Sequence, residues 1–223
     1  MAAKASSPCA ICETRRPRRF CPALRSEICA PCCGTSREVT LYCPLDCPHL
    51  QEAHRHERPP EPDPEQLPHP DIEITRGFLD RNSALVDFLS QALLRHTETA
   101  PTLVDQDVRE ALDAMIRTYR TLQSGLYYES RPSNLYAAEL QRRLREDLDH
   151  YLQQQRERAG LTVVRDADVL GVLVFLQRVE FAHNNGRPRG RAFLGLLRER
   201  FAPPTASGAD PSSQLYVPRH SME

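Results

Sequence analysis

The second part of the chain carries a helical pattern of apolar residues. From about Thr75 to Phe201, apolar side chains recur at steps of three and four residues, which places them on one face of a helix. No alternating run long enough for a strand appears, so this part is predicted to be an all-α bundle. The first three predicted stripes are Leu85, Phe88, Leu89, Ala92 and Leu93; Val108, Leu112, Met115, Ile116, Tyr119 and Leu122; and Leu140, Leu144, Leu148 and Leu152.

Turn and capping residues divide this pattern into five helices. The second helix is predicted from near Thr102 to Gly125, and the third from near Ser133 to Gly160. The fourth is capped by Asp166 and is apolar on most sides, which predicts a place at the centre of the bundle. A short fifth helix is predicted from about Gly190 to Phe201. The short connections favour antiparallel packing of neighbouring helices.

The other segments lack such periodicity and set the predicted domain limits. These are a cysteine-rich module at 8–56, a Pro/Glu-rich linker at 57–71, the bundle at 72–201 and a disordered tail at 202–223. Frequent proline in the linker favours an extended backbone, and the tail is rich in proline, serine and glycine. The predicted fold class is a small metal-stabilised zinc-finger module followed by an all-α helical bundle.

Composition and charge favour a soluble cytoplasmic protein. The 223 residues are 40% hydrophobic and carry a formal charge of −1, so no overall field favours nucleic acid or an anionic membrane. The longest apolar run, Val169–Leu176, is far shorter than the roughly 20 residues that span a bilayer. Because the cytoplasm is reducing, eight cysteines are better explained by metal than by disulfides.

The cysteine spacing predicts two zinc ions held by thiolates. The pairs Cys9–Cys12 and Cys29–Cys32 each place two thiolates across a tight turn, where both can reach one tetrahedral zinc. Eight cysteines match two four-thiolate sites, and so short a segment needs metal in order to fold. An iron–sulfur cluster is the main alternative. Cys43-Pro44 and Cys47-Pro48 are similar to the end of a ferredoxin motif, although the CxxCxxCxxxC run is absent.

The order Cys9-x2-Cys12-x8-Cys21-x7-Cys29-x2-Cys32 resembles the first half of a B-box zinc finger and, more loosely, a HIT-type finger. The resemblance covers about residues 9–33 and implies a cross-brace in which the first ligand pair joins the third. It assigns one zinc to Cys9, Cys12, Cys29 and Cys32. The next B-box ligand falls on Leu24, which cannot bind metal, so the second site departs from that family. The residues predicted for the second site are Cys21, Cys33, Cys43 and Cys47, with His49 or His54 as substitutes.

A second resemblance lies in the strings Cys29-x2-Cys32-Cys33-Gly34 and Cys43-Pro44-x-Asp46-Cys47-Pro48. They are similar to strings in cysteine-rich bacterial proteins that have no assigned function. Neither resemblance implies an activity for this chain, and the B-box likeness implies a zinc fold without ubiquitin-ligase function.

An arginine-rich loop lies between Cys12 and Cys21. Its guanidinium groups are candidates for contacts with phosphates, and Phe20 beside them is a candidate for stacking on a base. The alternative is a solvated loop, since the basic excess of the first 58 residues is modest. The arginines are Arg15, Arg16, Arg18 and Arg19.

Two further segments carry residues typical of binding sites. Three arginines in the turn Phe181–Arg191 are suited to hold an anion at a helix N-terminus, or else to remain solvated. Tyrosine and arginine in Tyr127–Ser133 are typical interface anchors, and equally typical of residues at the edge of a core.

Function is predicted from the metal module, since no catalytic motif appears. A zinc ion with four thiolates has no open position and is a poor Lewis acid, so its predicted role is structural. The sequence favours a non-enzymatic protein-interaction or regulatory adaptor whose partner is another protein. The alternatives are a nucleic-acid-binding regulator that uses the arginine-rich loop, and a thiol-based redox or metal sensor.

Overall fold

The computed structural model describes residues 8–57, 63–159 and 164–201. Within them lie eight α-helices and one two-stranded sheet. Residues 58–62 of the predicted linker and the predicted disordered tail at 202–223 lie outside the described residues. The elements are β1 (Arg19–Cys21), β2 (Ser26–Ile28), α1 (Ala30–Ser36), α2 (Pro48–His56), α3 (Arg76–Arg81), α4 (Ser83–Thr99), α5 (Asp105–Gln123), α6 (Leu135–Ala159), α7 (Asp166–His183) and α8 (Ala192–Phe201).

The centre of the bundle is α7, as its apolar pattern predicts. It packs against α4, α5 and α8, and every residue from Val169 to Val174 is buried. Gly171 allows α3 to approach, because a Cβ atom at this position would lie 2.4 Å from the ring of Phe78. Burial of apolar surface around α7 therefore holds the other helices together.

The five predicted helices correspond to α4–α8. The helix α5 begins at Asp105 rather than near Thr102, and the carboxylate of Asp107 accepts a hydrogen bond from the Val104 N–H at 3.0 Å. The helices α1 and α3 are not among the five predicted helices, because seven residues or fewer are too short to establish a helical period. No helix in the described ranges has both the length and the apolar character needed to cross a membrane.

The cysteine-rich module contains a hairpin that the sequence pattern did not predict. β1 and β2 pair antiparallel with Phe20 opposite Glu27, and Arg25 in the turn has a φ of 51°. Strands of three residues are too short for alternation to be recognised. The interior of the module consists of two small clusters, Cys9, Cys21, Ile28, Cys29 and Cys32, and Cys43, Cys47 and Leu50.

The described end of the proline-rich segment lies against α7. The Arg178 guanidinium donates hydrogen bonds to the carbonyl oxygens of Pro68, His69 and Ile72, at 3.0, 2.6 and 2.8 Å. Backbone without a regular hydrogen-bond ladder needs other partners where it is partly buried, and Arg178 supplies them here. This end of the segment is therefore attached to the bundle.

A buried carboxylate joins α5 to the start of α8. Asp105 is 3% exposed, and its oxygens accept hydrogen bonds from the N–H groups of Phe193 and Leu194 at 3.0 and 3.1 Å. Burial raises the pKa of Asp105 to about 7, although these two donors act in the opposite direction. The first turn of α8 is thus capped by a side chain from another helix.

Replacing Asp105 with asparagine is expected to change how stability depends on pH. The folded state holds a proton that the unfolded state releases above its ordinary pKa of 3.8, so wild-type stability falls as the pH rises from about 4 through 7. Asparagine cannot titrate, and the difference in unfolding free energy between wild type and Asp105→Asn should fall by about 2–3 kcal/mol from pH 5 to 8. Urea unfolding at each pH measures this difference. Asp166→Asn, at an exposed position in α7, is the control, and the same trend in both variants would contradict the assignment.

Candidate metal centre

Four cysteine side chains come together beside the hairpin of β1 and β2, at one end of the cysteine-rich module. Cys9 and Cys12 lie in a tight turn that is closed by a 2.8 Å hydrogen bond from the Glu13 N–H to the Cys9 carbonyl. Cys29 and Cys32 come from the start of α1, directly after β2. The sulfur atoms of all four lie within 4.8 Å of one another. The structure thus brings together the set assigned to the first predicted site.

The geometry of this cluster is compatible with a metal site. Four sulfurs at about 2.3 Å from a tetrahedral ion lie roughly 3.8 Å apart, and the sulfurs of Cys12 and Cys29 are 4.0 Å apart. The Cys29 N–H donates to the Cys9 sulfur at 3.2 Å. Such donors stabilise thiolates and hold them in position. Three of the four cysteines are buried, and Cys12 is partly exposed.

Electrostatics inside the cluster favours a cation among the sulfurs. Hydrogen bonds from the Thr14 side chain and from the N–H groups of Thr14 and Arg15 lower the pKa of Cys12 to about 5. Interaction with Cys29, together with burial, raises the pKa of Cys32 to about 12. Four neighbouring thiolates would repel one another, and a bound divalent ion would compensate their charge.

The second predicted set of cysteines lines one cavity but does not form an equally tight cluster. Within the described residues, the sulfurs of this set do not all lie within 4.8 Å of one another. Burial raises the pKa of Cys43 to about 11, and the nearby Cys47 and Cys21 act in the same direction. The residues of this set that line the cavity are Cys21, Cys33, Cys43 and Cys47, with His49 beside them.

His54, the other predicted substitute ligand, lies at the bundle instead. Its Nε2 is 3.0 Å from both carboxylate oxygens of Glu38, and it packs at Gly195 of α8, where an added Cβ atom would lie 3.1 Å from Nδ1. Glu57 completes a group of three possible metal ligands with Glu38 and His54. Arg187 already supplies a cation to this group, 2.6 Å from Glu57 and 3.5 Å from Glu38. The group is therefore an ion-pair network.

Glu38 is the main connection between the module and the bundle. The side chain is fully buried and accepts hydrogen bonds from the Arg191 N–H at 2.7 Å and the Asn185 amide at 2.8 Å. The Glu38 carbonyl accepts from the Arg189 N–H, and its own N–H contacts the Cys43 sulfur. Its φ of 55° is unusual for a residue other than glycine. One residue thus contacts both the second cysteine set and the turn before α8.

Only part of this connection is indicated by the sequence. The turn Phe181–Arg191 was a candidate for holding an anion, and the structure places the Glu38 carboxylate against it. Nothing in the residues around Glu38 indicates that its side chain is buried or that its φ is positive. A buried carboxylate with partners about 150 positions away depends on tertiary structure, which local patterns do not report.

The four arginines of the arginine-rich loop differ in their surroundings. The Arg15 guanidinium contacts the Cys29 sulfur, and this interaction raises the pKa of Arg15. Arg16 and Arg18 are exposed, whereas Arg19 is half-buried in β1. Of the four candidate anion contacts, Arg15 therefore also belongs to the surroundings of the cysteine cluster.

No family model, curated protein or solved structure matches this chain. The likeness to a B-box finger therefore stays a prediction.

Proposed function

We propose that this chain is a non-catalytic adaptor that binds other proteins and that two structural zinc ions hold its cysteine-rich module. The observation that carries the adaptor role is the distribution of large apolar side chains that are exposed. Within the described residues they fall in two segments, at 11–42 and at 126–136. Grouped exposed apolar residues are typical of interaction sites.

The exposed apolar residues of each segment are named here as one candidate surface. The module surface consists of Ile11, Phe20, Leu24, Val39 and Tyr42. The bundle surface consists of Leu126, Tyr127, Tyr128, Leu135 and Tyr136.

The bundle surface consists of residue types that commonly anchor protein interfaces. Tyr128 and Leu135 are 68% and 84% exposed, at the connection between α5 and α6. Tyr127 accepts a hydrogen bond from Arg145, whose guanidinium also lies 5.5 Å from the centre of the tyrosine ring. Tyrosines that neighbouring residues hold in place lose little conformational entropy on binding, which favours affinity.

The zinc part of the proposal rests on the donor set. Soft thiolates in a tetrahedral arrangement favour zinc among the divalent ions. Sulfurs within 4.8 Å of one another suit a single ion better than a cluster with bridging sulfides, which needs a wider cage. Four protein ligands would leave no position open for a substrate, so the ion would stabilise the fold and expose the module surface on a rigid frame.

Substitution of the two surfaces tests the adaptor role. Partners are captured by crosslinking in cells with wild type, Tyr128→Ser/Tyr136→Ser and Phe20→Ser/Leu24→Ser, and affinities are then measured with the purified partners. Each double variant should lower the affinity for the partner of the substituted surface by about tenfold or more, since aromatic anchors dominate interface energies. The affinity for the partner of the other surface should stay unchanged. The two variants are matched controls for each other. Capture at the wild-type level by both variants would contradict the proposal.

A further inference from the structure

A cavity of about 280 Å³ lies where the module meets the bundle. Its walls come from the loop between Cys43 and Cys47, from α4, and from α8 with the residue before it. Its size lies near the lower end of small-molecule sites, which are roughly 300–1,000 Å³. The cavity is separate from both cysteine sets, whose side chains do not line it.

The most buried charged side chain in its wall is Arg191, at 1% exposed. Its Nη1 donates to the Cys43 carbonyl at 3.1 Å, and its Nε has no hydrogen-bond partner among the described residues. Glu38 forms its ion pair with Arg187 and accepts only from the backbone N–H of Arg191. Burial lowers the pKa of Arg191, although Asp105, Glu38 and Asp46 favour the charged form from a greater distance. A buried charge is unfavourable unless an opposite charge or enough hydrogen bonds compensate it, so this guanidinium is suited to receive an anion.

The other walls restrict the kind of anion. Leu45 and Leu94 provide apolar surface, which a small hydrocarbon group can cover. Arg198 adds a second positive charge, and Asp46 and Glu98 add two negative charges. The acids would repel a multiply charged phosphate more strongly than a single carboxylate, which can pair with the guanidinium. The acids also suit a ligand that carries an ammonium group.

We infer that this cavity binds a small amphipathic carboxylate, with the anion on Arg191 and the hydrocarbon group against Leu45 and Leu94. The zwitterion of an apolar amino acid matches the charges of both signs. Because the module and the bundle both contribute walls, the bound ligand would stabilise the contact between them. This inference goes beyond the adaptor role and does not depend on either exposed surface.

Calorimetry and thermal unfolding with three probes of similar shape test the inference. The probes are 4-methylpentanoate, leucine and leucinamide, added to full-length wild-type protein. Saturable binding and a raised Tm are expected for leucine, for 4-methylpentanoate or for both, and not for the amide, which lacks the carboxylate. Tighter binding of leucine would identify the zwitterion as the preferred form. No saturable binding of either carboxylate, or equal binding of the amide, would overturn the inference.

Variants locate the bound carboxylate. Arg191→Gln should weaken binding by about tenfold or more, because it removes the buried positive charge. If this variant does not fold, Leu94→Phe reduces the space in the cavity while leaving both arginines, and it should also abolish binding. Arg198→Ala should weaken binding more than Arg200→Ala, its exposed neighbour on α8. The arginine Nε–H resonances of wild type give a direct signal, since one should shift on ligand addition and be absent in Arg191→Gln. Unchanged affinity in Leu94→Phe and Arg198→Ala would place the ligand elsewhere and overturn the inference.

Discussion

Cys29→Ser is expected to abolish one metal site and unfold the hairpin end of the module, while the bundle stays helical. Cys29 is 2% exposed and contributes one of the four clustered sulfurs. Serine is a favoured residue at the N-cap of a helix, which is the position of Cys29 before α1, so the helix start itself is not weakened. Structural zinc contributes about 10–16 kcal/mol of apparent binding free energy in small modules, far more than this segment can gain from its small interior.

Metal analysis, limited proteolysis and circular dichroism measure this effect together. The variant should hold one zinc ion fewer, become cleavable between residues 8 and 36, and keep the helical signal of α4–α8. Ile11→Ser is the matched control, because it lies between two ligands of the same turn and its exposed side chain is not a ligand. Wild-type metal content and a protease-resistant module in Cys29→Ser would contradict the assignment of the first site.

Glu38→Ala is expected to destabilise the whole protein by about 3–5 kcal/mol. The substitution leaves the Arg191 N–H and the Asn185 amide without their acceptor, and it removes the negative charge between His54 and Arg187. Burial acts to raise the pKa of Glu38, but His54, the Arg191 N–H and Asn185 outweigh it and lower the pKa below the ordinary value. The stabilisation by Glu38 is therefore present above pH 4.5 and lost as the pH falls through the lower pKa of the folded state.

Urea unfolding at neutral pH, with metal content measured in parallel, checks this prediction. Glu52→Ala is the control, since Glu52 is an exposed residue of α2. The Glu38 backbone N–H contacts the Cys43 sulfur, and loss of the buried side-chain contacts should displace this N–H. The variant should therefore lose metal from the second cysteine set more easily than from the first. Surface substitutions change the free energy of unfolding by less than about 1 kcal/mol. A decrease as small as this in Glu38→Ala would mean that Glu38 does not join the module to the bundle.

The sequence predicted well those features that local periodicity controls. The stripes of α4–α8 and the central place of α7 follow from the spacing of apolar residues, and the structure confirms them. The start of α5 was misplaced by a few residues because the cap depends on Asp107, which reaches back to Val104. Cap geometry of this kind is decided by side-chain contacts, and apolar spacing does not report it.

The candidate site was predicted only in part, because local spacing indicates some of its residues and tertiary contacts decide the others. Two close cysteine pairs indicate a metal site by their spacing alone, and the structure brings the first set together. The second set has one cysteine before β2 and three after it, so its arrangement depends on how the module folds. The burial of Glu38, Asp105 and Arg191 could not be predicted, because the residues that contact each of them lie far away in the sequence.

The metal content of protein purified without added metal tests whether structural zinc holds the cysteine-rich module. We expect two zinc ions per chain in a colourless protein, with the eight thiols unreactive until a chelator removes the metal. A brown protein that contains iron and sulfide would contradict the structural zinc sites and indicate an iron–sulfur protein. A metal-free protein with eight reactive thiols and an intact module would contradict any structural role for metal.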